Sequence, residues 1–145
     1  EWRLSNGVRV VLKPTTFMNN SGNALAFLAY TNLDPARDLL VISDDFAIPL
    51  GTFRLRHSGS AGGHNGLASV EQALGSNQYP RLRVGVGPLP AGLRDWAEFV
   101  LAPWAPDEER VVDDLLPVMA DAVECWVEHG IETAMTRFNR KVPPG

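Results

Sequence analysis

Two short runs of this chain alternate apolar and polar residues with period two, and a run of helical period lies between them. Thr52 to Arg56 sets Phe53 and Leu55 against Arg54 and Arg56. Leu82 to Val86 sets Leu82, Val84 and Val86 against Arg83 and Gly85. Between them, Asn65 to Leu74 carries Leu67, Val70 and Leu74 at the spacing of one helix face. A strand shows opposite faces to alternate residues and a helix does not, so the two periods predict half-buried strands joined by a helix. Strands that alternate with helices in this way predict an α/β sandwich.

The rest of the chain extends that pattern. Trp2 to Leu4 and Val8 to Leu12 flank Ser5-Asn6-Gly7, a hairpin signal. Asn19 to Tyr30 reads as a helix, and Leu39 to Ile42 as a short strand covered on both faces. Pro49-Leu50-Gly51 predicts a turn. Trp96 to Leu101 reads as a short helix or turn. Asp107 to His129 is a long amphipathic helix, with Val112, Leu115, Met119, Val123 and Trp126 on its apolar stripe. Pro117 inside it predicts a kink or a fresh helix start. Gly130 is placed to cap it, and Ile131 to Asn139 forms a last helix before a frayed tail from Lys141 to Gly145.

At 145 residues the chain has the length of one domain. Its lone Cys125 excludes an internal disulfide and reads as a buried thiol on a helix. No apolar run approaches the ~18 residues of a membrane helix. The start, Glu1-Trp2-Arg3-Leu4, does not read as a secretory leader, so a cytoplasmic protein is expected. The net charge of −4 argues against nucleic acid only on average. From Gly51 to Arg94 five arginines face one acid, Glu71, whereas Pro106 to Thr133 holds nine acids and one basic residue, Arg110. Binding follows the local field, so a basic middle and an acidic helix can share an RNA-binding protein.

Ser60-Ala61-Gly62-Gly63-His64-Asn65-Gly66-Leu67 is the richest candidate for chemistry. Three glycines around a His-Asn pair at a helix start present backbone N–H groups to a phosphate or a developing oxyanion. It is not a Walker loop, because no Gly-Lys-Ser/Thr follows. Asn19 and Asn65 each carry an amide that donates to a carbonyl and accepts from a hydroxyl, though asparagine is also a common turn residue. Asp44 or Asp45, near a strand end, would hold a histidine in one tautomer, or serve a turn. A metal on Asp44, Asp45 and His64 has no ligand spacing behind it, and no cofactor is expected. His64 reads as a base or as a structural residue, and a helix N-terminus disfavours its cation. Arg54, Arg56, Arg81 and Arg83 are phosphate contacts or solvated strand residues.

In this order the motifs become familiar. Lys13-Pro14-Thr15-Thr16-Phe17-Met18-Asn19-x-Ser21-Gly22, Asp44-Asp45, Gly59 to Leu67, and Tyr79-Pro80-Arg81-Leu82-Arg83-Val84-Gly85-Val86-Gly87 resemble the bacterial peptidyl-tRNA hydrolase family from about Val8 to Arg140. The resemblance implies one α/β domain over residues 1–145, a three-layer sandwich with a central mixed sheet. It implies a metal-free, monomeric enzyme that cleaves the ester between a peptide and the terminal ribose of tRNA. Asp44 would orient the histidine that activates water. Asn19 and Asn65 would bind the peptide backbone and the tRNA 3′ end, Phe17 would line the same site, His64 would support the loop, and nearby arginines would help hold phosphates. Asn19, Asp44 and Asn65 would then form one cradle for the acceptor end.

The family's catalytic histidine stands in an Arg-His-Asn segment after a Gly-Asn-Pro-Gly loop. His57, His64 and His129 are the histidines here, and none has that context. The chain is therefore expected to be a truncated form, inactive by itself, with sheet edges left exposed. Ala68 replaces a usual lysine, and Ala47 a common acid. The alternative reading is a non-catalytic RNA-binding relative.

Overall fold

The structure, a computed structural model, describes residues 2–4, 7–9, 22, 25, 33–59, 65–87 and 105–139, with the backbone alone at 2–4, 7–9 and 65. The chain divides into two compact units, Glu1–Leu39 with Ser58–Tyr79 and Leu40–His57 with Pro80–Gly145.

The first unit opens with the expected hairpin. Strands β1 (Trp2–Leu4) and β2 (Gly7–Arg9) run antiparallel, with Trp2 opposite Arg9 and Leu4 opposite Gly7. That register leaves Ser5-Asn6 as a two-residue connection, so Gly7 is a strand residue rather than part of the turn. Helix α1 (Pro35–Asp38) starts on Pro35, and the Asp34 carboxylate accepts from the Ala36 N–H at 3.1 Å. Helix α2 (Asn65–Leu74) has the bounds its spacing predicts, with Leu67 and Val70 buried. Gly75 ends it at φ +70°, with its N–H on the Glu71 carbonyl at 2.8 Å. The backbone of Gly22 lies against this helix. Its N–H donates to Ser69 Oγ at 2.8 Å, and a Cβ at position 22 would collide with the Ser69 carbonyl oxygen. Of the helix expected over Asn19 to Tyr30, Gly22 and Leu25 alone are described.

The second unit is built on strands β3 (Val41–Pro49), β4 (Phe53–Arg56) and β5 (Arg81–Gly87), in the order β3-β5-β4. β3 runs parallel to β5 and β4 antiparallel to it, so the sheet is mixed, as expected. β3 is longer than Leu39 to Ile42. Asp44-Asp45 therefore lie inside the strand, at the end of its regular pairing, and the register shifts between Asp45 and Pro49.

Helix α3 (Pro106–His129) and helix α4 (Ile131–Phe138) supply the cover for one sheet face. Asp107, Glu108 and Glu109 fill the first turn of α3, where carboxylates complement the helix dipole. The helix runs unbroken through Pro117, so the fresh start does not occur. Pro117 and Asp113 are exposed, so water can satisfy the carbonyl that the missing N–H would have bonded. Gly130, at φ +90°, separates the two helices, and its N–H bonds the Trp126 carbonyl at 2.9 Å. The core joins Phe53, Leu55 and Leu82 from the sheet to Ala122, Cys125 and Ala134 from the helices. Cys125 is buried, as expected.

Trp96 to Leu101 and the tail from Lys141 lie outside the described residues. Among the described residues, no helix is long and apolar enough to cross a membrane.

Two glycines let β3 bend over β5. A Cβ on Gly85 would collide with the Pro49 carbonyl oxygen, and one on Gly87 with that of Phe46. Those contacts are backbone, which cannot rotate away. Gly87→Ala is expected to lower stability by about 1–3 kcal/mol, the usual range for an added carbon that forces its surroundings to shift. An unchanged midpoint in chemical denaturation would contradict the tight crossing. Leu55, fully buried under α4, is expected to lose about 2–5 kcal/mol as Leu55→Ala, read in the same assay.

Candidate functional site

Alternation on β4 and β5 sends apolar and basic side chains to opposite faces. Phe53 and Leu55 turn to the helices, and Arg54 and Arg56 turn away. The antiparallel register sets Arg54 opposite Arg83, and Arg56 opposite Arg81. Paired residues share a face, so four arginines belong to the side of the sheet opposite α3 and α4. They do not play the same part. Arg81 is 0% exposed and is held beside buried Pro80 and Tyr79 in the chain. It is therefore not a phosphate contact, which corrects the sequence expectation for that residue. Arg54, Arg56 and Arg83 remain half-buried with access to solvent.

The same register separates the two acids of β3. Asp44 lies opposite Val84, and Asp45 opposite Gly85. Asp44 thus belongs to the face of Val84, and Asp45 to the face of Arg83. Asp45 Oδ2 accepts from Arg83 Nη1 at 3.3 Å, and its Oδ1 accepts from the Ala47 N–H at 2.8 Å. Both oxygens are engaged: one holds an arginine, and the other turns the chain where the register shifts. Asp44 and Asp45 therefore do not converge on one ion. Among the described residues no group of three or more His, Cys, Asp or Glu side chains could hold a metal.

Asp45, Ala47, Ile48, Arg54, Arg56 and Arg83 line an open depression of about 170 Å³. Among the described residues that line it, one carboxylate stands with three guanidinium groups, an excess of positive charge. Arg56 records the crowding. Its guanidinium is pushed below its ordinary range by burial first, and then by the charges of Arg54 and Arg83. An anion in the depression would relieve that repulsion. A larger hollow, about 590 Å³, lies between α3 and α4 and is lined by Asp121, Glu124, Cys125, Glu128, His129, Arg137 and Phe138. Its acids repel phosphate, and neither Asp44 nor the strand arginines are among its described lining residues.

In the first unit, α2 begins at Asn65 and has no acid in its first turn. The positive end of its dipole is therefore not cancelled by a carboxylate of its own. Phe17, Asn19 and His64 lie outside the described residues, and of Asn65 the backbone alone is described. What the structure brings together is the trailing end of one motif, Gly22, and the helix that the other motif opens, through Ser69.

Sequence reasoning left Asp45 with two readings, and the structure gives it the turn, together with an ion pair to Arg83 that was not anticipated. It missed one residue altogether. Asn139 bonds both backbone groups of Leu55, and no local pattern announces it.

Residues 1–144 match the sequence model of the family described as Peptidyl-tRNA hydrolase. The chain is 50% identical over 135 residues to a peptidyl-tRNA hydrolase of Chloroflexus aurantiacus, covering 92% of this chain and 71% of that one. It is 52% identical over 134 residues to one from Synechococcus sp. (strain JA-3-3Ab), covering 92% and 59%. The crystal structure of peptidyl-tRNA hydrolase from Acinetobacter baumannii superposes with a TM-score of 0.79 at 29% identity, covering 90% of this chain and 66% of that one. The α/β fold is that of these enzymes, and the chain spans between about three fifths and three quarters of the lengths of these relatives. By its sequence over nearly every residue and by its fold, the chain belongs to the peptidyl-tRNA hydrolase family.

Proposed function

We propose that this chain supplies the substrate-binding part of a site that hydrolyses the ester of peptidyl-tRNA, releasing tRNA and peptide. The observation that carries the reading is the bond between Gly22 N–H and Ser69 Oγ. Three residues of chain reach at most about 11 Å, so Asn19 stays within that distance of Gly22. Asn65 lies four residues, or about 6 Å of helix rise, before Ser69. The two amides thus come from segments that are stitched together, as a shared cradle requires.

The roles follow from the chemistry of the ester. A histidine removes a proton from water, and the hydroxide adds to the carbonyl carbon. The C–O bond to the ribose then breaks, and the proton goes to the departing hydroxyl. Asp44 orients that histidine and stabilises its cation. Asn19 and Asn65 bind the peptide backbone and the tRNA 3′ end. Phe17 lines the same site, and His64 supports the Gly-rich loop. The positive end of α2 suits the negative charge that develops on the carbonyl oxygen. Arg54, Arg56 and Arg83 hold phosphates of the RNA. As the family resemblance implies, the protein acts as a monomer and needs no metal, and it works in the cytoplasm, as expected from the sequence.

None of His57, His64 and His129 stands in the family's Arg-His-Asn context. The 145-residue polypeptide assayed alone on peptidyl-tRNA is therefore expected to bind without measurable turnover. Release of peptide at the rate of a whole family enzyme would refute this. In the full-length protein, Asn65→Ala is expected to reduce kcat/KM about tenfold, the usual cost of one hydrogen bond to a ligand. An unchanged value would remove Asn65 from the site. Tight binding with no hydrolysis in the full-length protein would favour an RNA-binding relative instead.

A further inference from the structure

β4 is four residues long and pairs with β5 on one side. On its other side, Asn139 stands in for a strand. Its Oδ1 accepts from the Leu55 N–H at 2.9 Å, and its Nδ2 donates to the Leu55 carbonyl at 2.9 Å. One amide thus makes the two bonds that a residue of a neighbouring strand would make. The Leu55 carbonyl has a second donor, Arg56 Nη1 at 3.0 Å. A backbone oxygen has two acceptor sites, and here Asn139 and Arg56 occupy them together.

We propose that Asn139 is a positioning residue for the basic depression, acting through the Leu55 carbonyl to hold Arg56, and with it Arg54, against Arg83 for contact with an RNA phosphate. This rests on the reading of that depression given above. Leu55 faces the helices, and its neighbours Arg54 and Arg56 face the depression, so pinning Leu55 sets the base of both side chains. Three guanidinium groups with one carboxylate push apart, and the force falls on the short outer strand. The α4 terminus answers it from the far side of the sheet.

The test uses the full-length protein and a 5′-phosphorylated acceptor-stem RNA duplex, with Asn139→Ala, Asn139→Gln, Arg56→Gln and the Asn139→Ala/Arg56→Gln double variant. Affinity is read across a salt series, and folding is read from thermal melts. Arg56→Gln is expected to weaken binding about fivefold to tenfold and to reduce the salt slope by about one. Asn139→Ala is expected to do the same, and the double variant is expected to bind no worse than Arg56→Gln. Gln keeps the donor and acceptor on a longer arm, so Asn139→Gln is expected to keep the fold and lose part of the affinity. It decides the matter should Asn139→Ala unfold. Wild-type affinity and salt slope in the folded Asn139 variants, beside a weakened Arg56→Gln, would overturn the positioning role alone. So would losses that multiply in the double variant. Wild-type binding by Arg56→Gln would overturn the reading of the depression, and the positioning role with it.

Discussion

β5 lies between a parallel neighbour and an antiparallel one, and its two-residue period commits Leu82 and Val84 to the helices while Arg83 turns the other way. A slip of one residue would reverse every one of these assignments, burying a charge and exposing two apolar side chains. Burial of Phe53, Leu55 and Leu82 under α3 and α4 is what opposes the slip. The basic face is thus a by-product of the core. The force that packs the apolar residues is also the force that gathers the arginines. Gly85 and Gly87 serve the same strand from the parallel side, because there the β3 backbone passes where a side chain would stand.

Gathering like charges has a cost, and the structure meets it locally. Asp45 offsets part of the charge of Arg83, with its other oxygen spent on the Ala47 N–H, so its geometry is held from both ends. Arg81 leaves the surface altogether. Arg56 keeps its charge while two cations act on it, and rests its guanidinium on the Leu55 carbonyl. An anion placed among these groups gains attraction from three guanidinium charges at once, more than from one isolated arginine.

Much of the fold was legible in the sequence because period and caps are local. The bounds of α2, the run of α3 from Pro106 to His129, the break at Gly130 and the alternation of β4 all followed from a few residues each. What failed was decided by partners distant in sequence. Arg81 looks like a strand arginine open to solvent and is fully buried, whereas Arg83, two residues on and on the same face, keeps access to solvent, a difference that no local pattern announces. β3 was expected to be shorter because Asp44-Asp45 read as a strand end, whereas pairing with β5 carries it to Pro49. Pro117 read as a kink or a fresh helix start; the helix continues through it, and exposure on the solvent side makes it tolerable. Of the site, the division between Asp44 and Asp45 was out of reach: adjacent carboxylates look alike until a register gives them opposite faces. Asn139 lies 84 residues from Leu55, so nothing in either neighbourhood points to the other.

The formal net charge of −4 also acquires a different meaning once charges have places. Within the second unit, the arginines occupy one face of the sheet, and α3, with its acids, supplies the cover for the other. The acids of α3 are mostly exposed, and Asp121, Glu124 and Glu128 line the hollow on that side. On the reading proposed above, a polyanion approaching the described residues of this unit would meet attraction on one face and repulsion on the other, which would orient it before contact. Such a field falls off over about 10 Å at 0.1 M salt, so it acts on encounter rather than on the final grip. A uniformly basic protein would bind RNA in many orientations. An acidic one with a positive face among its described residues would restrict the approach, and the restriction would come from the same acids that make the average charge look unsuited to RNA.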